Sequence, residues 1–407
     1  MGMSLFNTAC TPGQPSVSWS PVRRISRVEY NNMVHDLLGD STHPADQFVA
    51  ESPLAVGVNF QANTCTGVGA SDTYIPQQYL QAAEALAQSA TTDSNALSTL
   101  LNQNGVNASC GTKDDACAQA FINAFANRAF RGQFDSSEGT SLLQNVYTPI
   151  KMKFDFATGI QAVITSVLTS PRFLYVIEFG QPNGGGAVVA LSPYELATRL
   201  SLFLWRSLPD SALLQAAANN ELSTPEQIKM QALRMLGPKD GAQLKAQGAL
   251  DDFATQWMEL ENAAALTRDS QYKTWNMSPT LSSALRNETL VTFHSTVLQD
   301  NGSLTDVMTS PSSYMNDDVK AFYQGMTLPG SSCNPPDNCY KKATLSTSAN
   351  PRAGILTNAI VLAARSHTSF PSPTLRGKLV REQVLCDPIY PPPTGLNIPP
   401  PPTTVPA

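Results

Sequence analysis

Charged side chains on an apolar helix need partners, and the stretch Leu191–Asp210, LSPYELATRLSLFLWRSLPD, carries Glu195 and Arg199 one turn apart, with Arg206 near its end. An arginine held in an apolar wall can grip a carboxylate or phosphate through two parallel hydrogen bonds, so this stretch is a candidate anion site. The seven cysteines are a second chemistry-bearing set. Cys110 and Cys117 flank a short Gly/Lys/Asp turn, and Cys333 and Cys339 flank NPPDN, so each pair could close a local disulfide in an oxidising compartment. A metal clip is the rival, but neither pair has C-x-x-C spacing and no histidine lies nearby, which favours disulfides and no metal. Of the remaining three, Cys10 follows Ala9 as in a lipoprotein cleavage site, although Asn7 fits such a site poorly. If Cys10 is lipidated, Cys65 and Cys386 could pair.

Motifs that would assign a reaction are missing. There is no H-E-x-x-H, no G-x-S-x-G and no Walker loop, since Gly377 and Lys378 follow Ser372 where the earlier glycine belongs. Ser270 to Lys273 matches S-x-x-K without its companion motifs. The histidines His35, His43, His294 and His367 are dispersed, and His294 reads as a satisfied residue of its own helix. Asp251/Asp252 and Asp317/Asp318 read as solvated helix faces or caps.

The elements that must position these residues are helical. In Leu191–Asp210, Ser192, Pro193 and Glu195 form a helix start, and Leu196, Leu200, Phe203 and Leu204 make an apolar stripe that predicts a mostly buried helix. Ser26 and Glu29 form a capping box before Tyr30, Met33, Val34, Leu37 and Leu38, and Gly39 ends that helix. Helical spacing returns repeatedly along the chain, strand signals are sparse, and 407 residues exceed one comfortable core. The expected fold is all-α: about a dozen helices in two packed lobes, residues 21–180 and 190–386, divided at QPNGGGAVVA. Residues 1–20 read as a trimmed signal or tether, and 387–407 as an extended Pro-rich tail.

Composition narrows the partners. With 42% hydrophobic and only 14% charged residues and 30 prolines, the chain suits export better than the cytosol. A net charge of −6 with no Lys/Arg run argues against nucleic acid, and no apolar run reaches the roughly 20 residues a membrane span needs.

Six segments taken in order carry a family resemblance: RVEYNNMVHDLLGD, FANRAFRG, TSPRFLYVIE, LSPYELATRLSLFLWRSLPD, PRAGILTNAIVLA and LRGKLVREQVLCDPIYPPP. Together they resemble the exported bacterial domains of unknown function, numbers 1587, 1595, 1592 and 1588, associated with planctomycete-type cytochromes c. The resemblance implies a periplasmic or cell-surface location, a cytochrome c partner, and haem c in a longer form or in that partner. This chain has no C-x-x-C-H, so no covalent haem is expected in it, and it looks truncated relative to the family. Gly132 stands where a second arginine of a RAFRR-like motif is expected.

The charged positions matching the resemblance include Arg27, Glu29, Arg128, Arg131, Glu178 and Asp210, with Arg172, Glu195, Arg199, Arg352 and Arg376 as candidate anion or ligand binders. A converging group could hold an anionic substrate or a haem propionate. The opposing reading is that these arginines pair with the acids and cap helix ends, and the near balance of the two favours it. Three functions follow: a redox-associated exported protein, a secreted hydrolase or lyase acting on a polymer, or a noncatalytic surface scaffold.

Overall fold

The computed structural model describes residues 22–49, 53–55, 58–61, 74–106, 110–181, 189–237, 242–261, 263, 266, 279–323, 340–344, 352–387 and 389. They are mostly helical, as expected. The chain divides into two compact units, Met1–Leu54 with Gln61–Leu250, and Ala55–Phe60 with Asp251–Ala407.

The helices of the first unit are α1 (Arg27–Leu38), α2 (Tyr74–Ala90), α3 (Ser94–Gln103), α4 (Asp115–Ala129), α5 (Ser136–Leu142), α6 (Thr148–Lys151), α7 (Phe156–Leu168), α8 (Pro171–Leu174), α9 (Pro193–Trp205), α10 (Ser211–Ala218) and α11 (Pro225–Leu236). α12 (Ala242–Trp257) continues into the second unit, which holds α13 (Pro279–Leu298), α14 (Leu304–Thr309), α15 (Asp317–Tyr323), α16 (Ala359–Ala364) and α17 (Pro373–Leu379). The strands are short: β1 (Arg23–Arg24), β2 (Pro53–Ala55), β3 (Val58–Gln61), β4 (Tyr175–Val176), β5 (Ser312–Met315) and β6 (Lys341–Thr344). β1 pairs antiparallel with β4, Arg23 opposite Val176, and β5 with β6, Ser312 opposite Thr344.

Local cap chemistry sets many of the helix starts. Ser26 Oγ accepts from Glu29 N, Glu29 accepts from Ser26 N, and Gly39 closes α1 in the left-handed region at φ 73°. The same reciprocal pairing opens α5 from Asp135 and Glu138, and α9 from Ser192 and Glu195. At α11 it is Gln227, three residues past the Thr224 cap, that completes the box.

In the first unit, the apolar faces of α1, α2, α4 and α7 close on one another around the rings of Tyr30, Phe48, Tyr79 and Phe173, whose neighbouring centroids lie 4.8 to 6.0 Å apart. Burying each large side chain contributes on the order of 2–3 kcal/mol. Cys110 and Cys117 form the expected disulfide at the start of α4. Cys10, Cys65, Cys333 and Cys339 lie outside the described residues, and Cys386 is exposed and free.

Two expectations need correction. The division between units does not fall between 180 and 190, because residues from α9 to Leu250 belong to the first unit. Hydrogen bonds explain why. Arg206, at the end of α9, donates to Ser26 Oγ, Asn32 donates to the Arg206 carbonyl, and Asp36 receives both Ser207 Oγ and the Lys245 ammonium at 2.6 Å. These bonds tie α9 and α12 to α1 across more than 170 residues of chain. The second correction concerns which face of α9 is buried. Phe203 is 80% exposed, and the inward residues are Glu195, Ala197, Thr198, Ser201, Leu202 and Trp205. Polar groups face inward there because each finds a bond: Thr198 and Ser201 donate back to helix carbonyls, and Trp205 Nε1 donates to the Met235 carbonyl at 2.8 Å.

After α4 the backbone reverses through Arg131 and Gly132, both left-handed at φ 58° and 81°. A Cβ on Gly132 would meet the Tyr194 ring at 2.5 Å, so the missing second arginine has a steric reason. Gly132→Ala is expected to destabilise the first unit by about 2–4 kcal/mol, through left-handed strain and ring displacement together. Urea denaturation of the variant measures this, and a loss under about 0.5 kcal/mol would show that Tyr194 moves freely.

Candidate functional site

Glu195 and Arg199 part company in the structure. Glu195 is buried; its Oε2 accepts from Ser192 N at 2.7 Å, while Oε1 accepts from Phe179 N and Gly180 N at 2.6 and 3.0 Å. It therefore buckles the segment after β4 onto the start of α9. Arg199 is 46% exposed and gives Nε and Nη2 to the two oxygens of Glu178, both at 2.6 Å. That hydrogen bond raises the affinity of Arg199 for its proton. Arg172 pairs with Glu138, and its guanidinium lies over the Phe130 ring, 4.9 Å from the centroid.

Glu195, Glu178, Arg172 and Arg131 line one small cavity of about 60 Å³. That is room for a few waters rather than a substrate. Arg131 is 5% exposed and spans its floor: Nη1 donates to the Arg172 and Tyr175 carbonyls at 2.9 and 3.4 Å, and Nη2 to Phe173 O at 2.7 Å. Burial lowers its pKa to about 10, against the opposing pull of Glu29. Arg352 and Arg376 belong to the second unit, where Arg352 donates to the Thr357 carbonyl and Arg376 to Ser366 Oγ and the Leu362 carbonyl.

Removing either end of the α9 pair should have unequal effects. Arg199→Ala is expected to cost about 1–2 kcal/mol, because the guanidinium is 46% exposed and water can take its place, although the Glu178 carboxylate it leaves is only 7% exposed. Glu195→Ala should cost about 2–4 kcal/mol, since three backbone N–H groups lose their acceptor. Thermal unfolding compares them, and an Arg199→Ala loss equal to that of Glu195→Ala would contradict this ranking.

A larger cleft, about 670 Å³, opens elsewhere in the first unit. Its wall gathers Asp36 of α1, Asn104 after α3, Arg128 of α4, Tyr194 of α9, Asp210 before α10 and Lys245 of α12. Two carboxylates in one cleft could serve acid–base hydrolysis, but such chemistry needs one proton-bearing acid and one available base. Here Asp36 is paired with Lys245, and Asp210 with Arg234 at 2.7 and 3.0 Å. Both are committed as counter-ions.

The second unit holds an acid that the motifs do not reveal. Glu288 of α13 is 0% exposed, accepts from Ser313 Oγ and Tyr323 Oη at 2.9 Å each, and has the Arg352 charge nearby. Desolvation raises its pKa to about 7, outweighing those hydrogen bonds and Arg352. Thr292 bridges Ser313 to Tyr314 N, and Asn358 donates to Thr289. One signal for this network is in the sequence: α13 carries Ser282, Glu288, Thr289, Thr292, Ser295 and Thr296 and has no purely polar face to turn outward. His294 of the same helix meets Asp251 at 2.7 Å, a satisfied residue of its own unit. Among the described residues no group of three His, Cys, Asp or Glu could hold a metal, and no helix is long and apolar enough to cross a membrane.

These features define a mostly helical, disulfide-bearing protein whose flagged charges are largely engaged within its own units. Four family models match it in chain order, each described as a protein of unknown function: PSD3 (DUF1587) over residues 23–92, PSD5 (DUF1595) over 117–178, PSD4 (DUF1592) over 191–324, and PSCyt3 (DUF1588) over 352–406. The chain thus carries the run of planctomycete cytochrome-c-associated domains that its six motifs resemble. No curated protein and no solved structure matches the chain.

Proposed function

We propose that the chain is an exported protein, periplasmic or at the cell surface, that works with a cytochrome c segment or partner and whose own helical units bind rather than react. The observation that carries this reading is the Cys110–Cys117 disulfide in a chain matching four domains associated with cytochromes c. The engaged state of Glu178, Glu195, Arg199, Asp36 and Asp210 supports a binding role, because each is already a counter-ion or a backbone acceptor. Haem c belongs, in this reading, to the partner or a longer form, and a lipid on Cys10 would hold the protein at a membrane surface.

The test is purification of the longest natural form from its own cells under native conditions. A c-type absorption spectrum, in the protein itself or in a co-purifying partner at near-unit ratio, is the expected result. Recovery from the cytosolic fraction, or a periplasmic form with neither haem nor a haem-bearing partner, would sink the proposal. The hydrolase or lyase alternative predicts release of soluble fragments from an extracellular polymer, and the Asp36 and Asp210 ion pairs argue against it.

A further inference from the structure

The geometry points to a binding site for a small amphipathic carboxylate in the first unit's large cleft, with the Arg128 guanidinium meeting the anionic end. Among the described residues, Arg128 is the charge in the cleft wall without a paired counter-ion. The charged side chains in the wall are Asp36, Arg128, Asp210 and Lys245. Asp36 and Lys245 neutralise each other, and Asp210 is neutralised by Arg234. What remains is the single positive charge of Arg128, whose bonds all go to uncharged oxygens: Gln103 O at 3.2 Å, Asn104 Oδ1 at 2.9 Å and Asp36 O at 2.6 Å. Burial lowers its pKa against the opposing pull of the Asp36 charge, which Lys245 already engages, so the site favours an arriving anion that completes its charge balance.

Those three bonds fix the guanidinium and use three of its five N–H groups. Nε–H and one Nη2–H are left without a protein partner among the described residues. Two N–H donors on a fixed plane suit a carboxylate, and a group already held in place loses little entropy on binding. The rest of the ligand follows from the wall beside it, where Leu208, Leu214 and Ala218 supply apolar surface. At about 670 Å³ the cleft falls in the size range of small-molecule sites, unlike the 60 Å³ cavity beside Glu195. This binding requires no haem, so it stands or falls separately from the cytochrome association.

The test is isothermal titration of the whole chain at pH 7 with acetate, benzoate and octanoate, and with octan-1-ol and octylammonium as neutral and cationic controls. Saturable one-to-one binding of benzoate or octanoate is expected, at least tenfold tighter than octan-1-ol, octylammonium or acetate. Arg128→Gln should weaken it tenfold or more. Because Arg128 also braces three backbone and side-chain oxygens, Ser211→Glu is the second variant. It adds an acid to the cleft wall at the first residue of α10, where the helix dipole tolerates it. This variant should retain its helical circular dichroism and bind the carboxylate at least fivefold more weakly. No saturable binding of any carboxylate, equal affinity for octan-1-ol, or binding that a folded Ser211→Glu leaves unchanged would overturn the proposal.

Discussion

Arg131→Met is expected to destabilise the first unit by about 3–5 kcal/mol, the largest effect of any single charge removal considered for that unit. The arginine lies just past the end of α4 and reaches the carbonyls of Arg172, Phe173 and Tyr175, the residues that carry the chain from α8 into β4. Methionine fills much of the space but donates nothing, so three carbonyls lose their donor. The damage should spread to β1, because Ile25 N bonds Leu174 O at 2.9 Å and Arg24 pairs with Tyr175. Hydrogen exchange would localise the loss at the amides of β1 and β4, and urea denaturation would size it. Arg131→Lys should recover only part, since one ammonium cannot reach three carbonyls along a guanidinium plane. A loss below about 1 kcal/mol for the methionine variant would mean that water replaces the guanidinium.

The second large effect is a pH dependence confined to the second unit. Glu288 titrates near 7 in the folded state and near its ordinary value of 4.5 in the unfolded chain. Between those values the folded state holds a proton that the unfolded state has released, so stability falls as pH rises. The contribution is fully present below about 4.5 and lost as pH climbs through 7, a swing of about 2.5 kcal/mol between pH 5 and pH 8. Tyr323 bonds this carboxyl directly and is itself pushed upward, first by burial and then by the Glu288 charge. Arg352 acts in the opposite direction on Glu288. Glu288→Gln keeps an acceptor for Ser313 or Tyr323 without the titrating charge, so it should flatten the profile and leave the variant more stable than the native protein at pH 8. Denaturation at pH 5, 6, 7 and 8 measures both. A native profile that rises with pH, or a glutamine variant with an unchanged slope, would refute the assignment.

These two residues also show where sequence reading stops. Arg131 is legible as a charged residue of FANRAFRG but its role is not, and nothing in the motifs points to Glu288 of α13. Arg131 acts on carbonyls 41 to 44 residues away, and carbonyls carry no side-chain signature. Glu288 is defined by Ser313 and Tyr323, which are 25 and 35 residues distant and unremarkable by themselves. The α9 pair illustrates the same limit in one turn of helix. Glu195 and Arg199 have the ideal spacing for a mutual ion pair, but Glu195 is taken by three N–H groups and Arg199 by Glu178. Local spacing says which pair can meet, and competition from the rest of the fold says which does.

The amino-acid sequence by itself determined the elements of this protein: helix periodicity, the capping boxes at Ser26 and Ser192, the stop at Gly39, the disulfide at Cys110 and Cys117, and kinship with the cytochrome-associated domains. All of these depend on residues within about a dozen positions of one another, or on motif order along the chain. Only the tertiary structure decided that α9 turns Phe203 outward, that the first unit runs on to Leu250, and that Asp36, Arg128, Asp210 and Lys245 share one wall. Each of those outcomes depends on contacts between different elements, such as Trp205 with Met235 and Ser207 with Asp36, and such contacts form only once packing has brought the elements together.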